Sequence, residues 1–259
     1  MSVKRSDLAL LLVGVIGAGA FTWPLFIASS SQVQNSGHWL FLVLLPLVLA
    51  VGISAITHDR IDVRAVALLG VLIAFATALR TVGAGQAGIE PIWLPIILGA
   101  RVFGREFAFL LGTLSLFASA LITGGVGPWL PYQMLAAAAV ALGAASLPRC
   151  GGRVEIFVLA GYAIVASLAY GVLMDLQFWP WLGGDTSIAY VAGGSLAENA
   201  RHFLVFHATT GLAWDIPRAI FTAFLILTLG TPIMRALKRV NRRAAFISSE
   251  RDFQRAEIL

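Results

Sequence analysis

Late in the chain an apolar stretch carries the run His207-Ala208-Thr209-Thr210-Gly211-Leu212-Ala213-Trp214-Asp215-Ile216-Pro217-Arg218. Asp215 and Arg218 are three residues apart, hence on one face of a helix, and can pair there. Charges inside an apolar span face the interior of a bundle or a cavity. Two roles are open for this pair: a structural salt bridge that fixes helix orientation, or contact with the polar groups of a ligand. Pro217 removes a backbone hydrogen bond beside it and marks a kink. His207 lies two turns before Asp215 and shares its face. No pair of helical histidines with an acid at zincin spacing is present, and a histidine here is read as a satisfied polar residue, so no metal is expected.

A second unusual segment reads Thr123-Gly124-Gly125-Val126-Gly127-Pro128-Trp129-Leu130-Pro131-Tyr132-Gln133-Met134. Three glycines and two prolines cannot prolong the helix that ends near Ile122. Non-helical backbone at membrane depth survives only where protein or a watery cavity surrounds it. Trp129, Tyr132 and Gln133 then supply a stacking plane, a hydroxyl and an amide at the mouth of that cavity, a mixture that suits an organic ligand with apolar area and a few polar handles. The alternative is a tight turn with an interfacial tryptophan and tyrosine anchor. The longest polar break, about 175–204, holds Trp179, Pro180, Trp181, two Gly-Gly pairs and Asn199. It is expected either to cap a cavity or to be an ordinary loop with interfacial tryptophans.

The elements that position these residues follow from composition. The chain has 259 residues, 59% hydrophobic and 12% charged, against about 25% charged in a soluble domain. So little charge cannot cover a globule with polar surface, which predicts an integral membrane protein and excludes a cytosolic enzyme, a nucleic-acid-binding domain and a disordered scaffold. Apolar runs at about 8–27, 39–56, 65–79, 88–100, 106–122, 132–147, 154–174 and 205–230 predict eight transmembrane helices. With both termini cytoplasmic, 15 of the 18 basic residues fall inside, as the positive-inside rule requires. Dropping the short, proline-bearing 88–100 run would place Arg149 and Arg153 outside, so it is kept.

The formal net charge of +5 comes mostly from the end of the chain, where Arg235, Lys238, Arg239, Arg242, Arg243, Arg251 and Arg255 face three acids. This basic tail suits anionic lipid headgroups rather than nucleic acid. In the 65–79 run, Gly70, Ala74 and Ala78 recur every four residues as a smooth stripe. Such stripes let helices approach closely in lipid, within the bundle or against another subunit. Neither a nucleophile elbow nor a zincin pair nor a Walker loop is present, so no catalytic residue, cofactor or enzymatic activity is expected. The lone Cys150 cannot form an internal disulfide.

The run Gly99-Ala100-Arg101-Val102-Phe103-Gly104-Arg105, then Leu111-Gly112-Thr113-Leu114-Ser115-Leu116-Phe117-Ala118-Ser119-Ala120, then the Thr123–Met134 block, resembles the substrate-specific S-components of energy-coupling factor (ECF) transporters, in their actinobacterial form. Tyr170-Gly171, Phe178-Trp179-Pro180, Glu198-Asn199 and Trp214-Asp215 with Arg218-Ala219 match the same group, so that the resemblance covers roughly 62–245. It implies an all-α cell-membrane protein: a six-helix core over 61–240, two additional N-terminal helices over 1–60 and a basic cytoplasmic tail over 241–259. The implied function is capture of a vitamin or related micronutrient, with cobalamin or a precursor favoured, followed by rigid-body reorientation. Two partner ABC ATPases would drive it through a transmembrane coupling subunit packed on Gly70, Ala74 and Ala78. The substrate-binding residues expected on this basis are Gly125, Gly127, Trp129, Tyr132, Gln133, Trp179, Trp181, Asn199, His207, Trp214, Asp215 and Arg218. The alternative is a stand-alone proton-coupled secondary transporter using Asp215.

Overall fold

The computed structural model describes residues 5–22, 42–50, 63–83, 86–182 and 187–257. Among them every regular element is helical. The helices are α1 (Arg5–Thr22), α2 (42–50), α3 (Val63–Gly83), α4 (Trp93–Phe103), α5 (Arg105–Thr123), α6 (Leu130–Ser146), α7 (Gly152–Phe178), α8 (Leu196–Phe206) and α9 (Leu212–Glu257).

Among the described residues four stretches are long and apolar enough to cross a membrane: Arg64–Gly83, Arg105–Thr123, Gly152–Trp181 and Leu196–Arg242. The 88–100 run forms α4, only 11 residues, or about 16 Å of helix. It lies inside the bundle, with Trp93 through Ala100 all buried. The predicted spans at 8–27 and 39–56 lie partly outside the described residues. Of these segments α1 packs on α6, where Phe21 meets Tyr132 edge-on with centroids 5.3 Å apart.

Consecutive core helices alternate in direction, so their ends gather into two clusters. At one end the C-terminal turns of α3, α5 and α7 meet the N-terminal turns of α4, α6 and α9. There Arg80 donates to Ser119 Oγ at 2.8 Å, and Arg218 Nε reaches Glu90 Oε2 at 3.1 Å. At the other end Arg101 Nε donates to Glu155 Oε1 at 3.0 Å, and its two remaining nitrogens hold the carbonyls of Leu147 and Pro148 at 2.6 and 2.7 Å. Lys238 Nζ binds the second Glu155 oxygen. Between the clusters the core is aliphatic, with Phe109, Ile96, Leu98, Leu110, Leu111, Met134 and Leu159 fully buried. A helix rises about 1.5 Å per residue. Glu155 to Asp175 on α7, and Arg218 to Lys238 on α9, therefore each span about 30 Å, the thickness of a bilayer hydrocarbon core.

The 205–230 run belongs to a longer helical stretch than its hydropathy indicates. Helix α8 begins after Ser195, whose Oγ accepts from the Glu198 N–H at 3.2 Å as an N-cap. It joins α9 through a π turn at His207–Gly211. Pro217 and Pro232 both lie inside α9. One widened turn of this kind is a local irregularity often found where a helix carries functional groups.

Candidate functional site

Polar and aromatic side chains from five helices and the turns between them converge at the Arg80 end. They are Arg80, Glu90, Trp93, Trp129, Gln133, Asp175 and Arg218, and with Tyr170, Met174, Gln177 and Phe178 they line a cavity of about 280 Å³. Its position follows from the helix boundaries. Gly124 takes a left-handed conformation (φ 68°) that stops α5, and Pro131 in the first turn of α6 restarts the chain in the opposite direction. The six residues between form an exposed turn, and Trp129 is the last of them. Its indole lies against Gly127, and its Nε1 donates to the Gly125 carbonyl at 3.1 Å. The two glycines thus fix the tryptophan at the rim, and Gln133, one turn on, adds an amide to the wall.

Arg218 is the centre of the polar network. It is 7% exposed; Nη1 donates to Asp215 Oδ1 at 2.6 Å and Nε to Glu90 Oε2 at 3.1 Å. Its guanidinium stands 5.2 Å from the Tyr170 ring centroid, within cation–π range. Glu90 Oε2 also accepts from Trp93 Nε1 at 2.6 Å, and Trp93 packs edge-on against Tyr170 at 4.5 Å. The pairing of Asp215 with Arg218 expected from their spacing is present. Glu90, reaching in from before α4, makes it a triad.

His207 connects this triad to a further carboxylate. Its Nδ1 lies 2.7 Å from Asp175 Oδ2, and its Nε2 lies 4.0 Å from Asp215 Oδ2. Two glycines make the room. A Cβ on Gly171 would overlap the Asp215 carboxylate, and one on Gly211 would overlap Asp175 and His207. Asp215 Oδ2 is buried and has no hydrogen-bond partner among the described residues. Arg80, in contrast, has a hydroxyl partner in Ser119 but no carboxylate within ion-pair distance among the described residues.

The remaining residues expected at the site lie elsewhere. Tyr132 is buried against Phe21 of α1. Trp179 is fully buried, donates from Nε1 to the Ile188 carbonyl at 2.6 Å, and packs edge-on against Tyr190 and Phe203. Asn199 clamps Val191, accepting from its N–H at 2.9 Å and donating to its carbonyl at 2.8 Å. Trp179 and Asn199 therefore hold the described part of the 175–204 segment against α8. Trp181 is half-buried beside Trp179, and Trp214 is half exposed on α9. Gly70, Ala74 and Ala78 share an exposed face of α3.

Sequence reasoning missed Arg80, Glu90, Trp93, Tyr170 and Asp175. Arg80 and Asp175 did carry a signal, because each is a charge set in the last turn of an otherwise apolar helix. No metal-ligand cluster of three or more His, Cys, Asp or Glu occurs among the described residues. No protein-family model, no curated protein and no solved structure matches the chain significantly.

Proposed function

We propose that this chain is the membrane-embedded substrate-binding subunit of an ECF-type importer, with the Arg80 end outward and the Arg101–Lys238 end cytoplasmic. The observation that carries this reading is a cavity lined by charged and aromatic side chains at one end of an apolar helical bundle. Arg80 there has no carboxylate within ion-pair distance among the described residues. The arginine distribution supports the orientation, and the resemblance of 62–245 to S-components supports the class. In this reading the ligand is captured from outside and carried inward by reorientation of the bundle. The work is done by two ABC ATPases coupled through a transmembrane subunit docked on Gly70, Ala74 and Ala78.

Cavity size bears on the ligand. Pockets for drug-sized molecules run about 300–1,000 Å³, and this one, at about 280 Å³, is at the small end. The proposed ligand is therefore a compact, vitamin-like organic anion or zwitterion. Its ring would stack on Trp129 or Phe178, and its acidic group would meet Arg80. Small molecules released from the purified protein will be identified by mass spectrometry and returned in a binding titration. Trp129→Ala is expected to weaken binding about tenfold, the loss of one aromatic contact, with helical circular dichroism retained. Unchanged affinity in that variant would remove Trp129 from the site.

One observation favours a second reading, a stand-alone proton-coupled carrier. His207 bridges two carboxylates, Asp175 and Asp215, within helices long enough to span, and buried chains of this type carry protons in transporters. The chain alone in proteoliposomes, given the released ligand and a proton gradient, decides between the two. Gradient-driven uptake abolished by Asp215→Asn would carry the second reading; no uptake by the chain alone is the result expected here.

A further inference from the structure

The end of the bundle remote from the ligand cavity has a site of its own. Two cavities flank the Glu155–Lys238 pair there. One, of about 450 Å³, is lined by Arg101, Arg149, Lys238, Asn241 and Arg242 around Glu155. The other, of about 360 Å³, lies between Arg153, Arg235 and Lys238, with Gly152 and Thr231 in its wall. Together they gather six basic side chains against one carboxylate. That carboxylate is already taken, Oε1 by Arg101 and Oε2 by Lys238, and Arg101 is further fixed by two loop carbonyls. Arg149 before α7, Arg153 in its first turn, and Arg235 and Arg242 on α9, have no carboxylate within ion-pair distance among the described residues.

These four guanidiniums are exposed, Arg149 and Arg242 at one cavity and Arg153 and Arg235 at the other, and each pair leaves a positive field that favours an anion. The guanidinium fork matches the oxygens of a phosphate, which it can bind through two parallel hydrogen bonds. The N-terminus of α7 adds to this field. It starts at Gly151 and Gly152 without a side-chain cap, and a Cβ at either glycine would meet nothing, so its first N–H groups are open to the same anion.

Depth identifies the source of the phosphate. Lys238 lies about 30 Å along α9 from Arg218, one hydrocarbon thickness, which sets these cavities at headgroup level when the chain spans a bilayer. Val154 and Phe157, 59% and 66% exposed on the adjoining turns of α7, present an apolar wall where acyl chains would continue from the headgroup. We propose that the paired cavities around Glu155 and Lys238 bind the phosphate of an anionic phospholipid. Arg149 and Arg153, together with Arg235, Lys238 and Arg242 from the start of the basic stretch, select this lipid, rather than the distal Arg251 and Arg255 acting as a diffuse attractor. The proposal rests on the chain spanning a membrane and not on its being a transport subunit.

The full-length protein in neutral detergent is titrated with short-chain phosphatidylglycerol, phosphatidylcholine and inorganic phosphate, with bound adducts counted by native mass spectrometry. Phosphatidylglycerol is expected to bind stoichiometrically and the other two much more weakly. The double variant R149Q/R242Q, whose side chains make no ion pair among the described residues, is expected to lose about thirtyfold in affinity. R251Q/R255Q, which removes equal charge from the last turns of α9, should keep it. An equal loss in R251Q/R255Q would overturn the site in favour of diffuse attraction by the tail. Inorganic phosphate binding as tightly as phosphatidylglycerol would overturn the lipid as its source. Retention of binding in R149Q/R242Q would overturn the proposal altogether.

Discussion

Replacing Arg218 by methionine is expected to destabilise the protein by about 3–5 kcal/mol, the range for removing one member of a buried ion pair. The size of the effect comes from what is left behind rather than from what is removed. Methionine fills a similar volume, but Asp215, 2% exposed, then keeps a carboxylate whose Oδ1 has lost its donor and whose Oδ2 had no hydrogen-bond partner among the described residues. Glu90 is left with only the Trp93 indole N–H among the described residues. A falling melting temperature in detergent, roughly 10 °C lower, is the measurement. Asp215→Asn combined with Arg218→Met should recover part of the loss, because the neutral amide no longer needs a counter-charge. A change of less than about 1 kcal/mol in the single variant would mean that water already reaches the pair and that it is not a buried network.

The Asp215–Arg218 pair was legible because its partners are on one helix, where spacing alone sets geometry. Their other partners were not. Glu90 stands 128 residues from Arg218 in the chain, and Asp175 stands 32 from His207, so only the packing of α4, α7 and α9 brings them together. The tryptophans show a different limit. Both stand beside a proline in a break between helices, where no periodicity says which side is interior, so Trp129 at a cavity rim and Trp179 sealed under Tyr190 and Phe203 read alike. The helical class was legible from composition and run length. The number of crossings was less so. Helix α4 is an 11-residue buried element whose apolar character comes from being surrounded by other helices, and hydropathy does not distinguish that from contact with lipid.

The same distinction between packing inside and outside gives the stripe on α3 its largest expected effect. Ala74→Leu is expected to abolish co-purification with a coupling subunit while leaving stability and ligand binding within experimental error. Gly70, Ala74 and Ala78 are exposed among the described residues, and a Cβ at Gly70 would meet nothing within 4 Å, so the stripe does not serve a contact inside the described bundle. Large apolar neighbours rise along one side of it, Val71 at 65% and Phe75 at 49% exposure, so the small residues form a flat strip beside that ridge. In lipid no hydrophobic effect drives two helices together, and association depends on close backbone approach over such a strip. A leucine side chain in its middle holds the partner off along the whole contact, whereas its effect on the folded chain alone stays within about 0.5 kcal/mol, as for other exposed positions. Detergent-stable complexes pulled down through the ATPases, compared between the parent and Ala74→Leu, give the result directly. An undiminished complex would move the docking surface off α3, and with it the main support for an engine supplied by partners. Loss of the complex together with loss of folding would instead show α3 covered from within, by the segments that precede it.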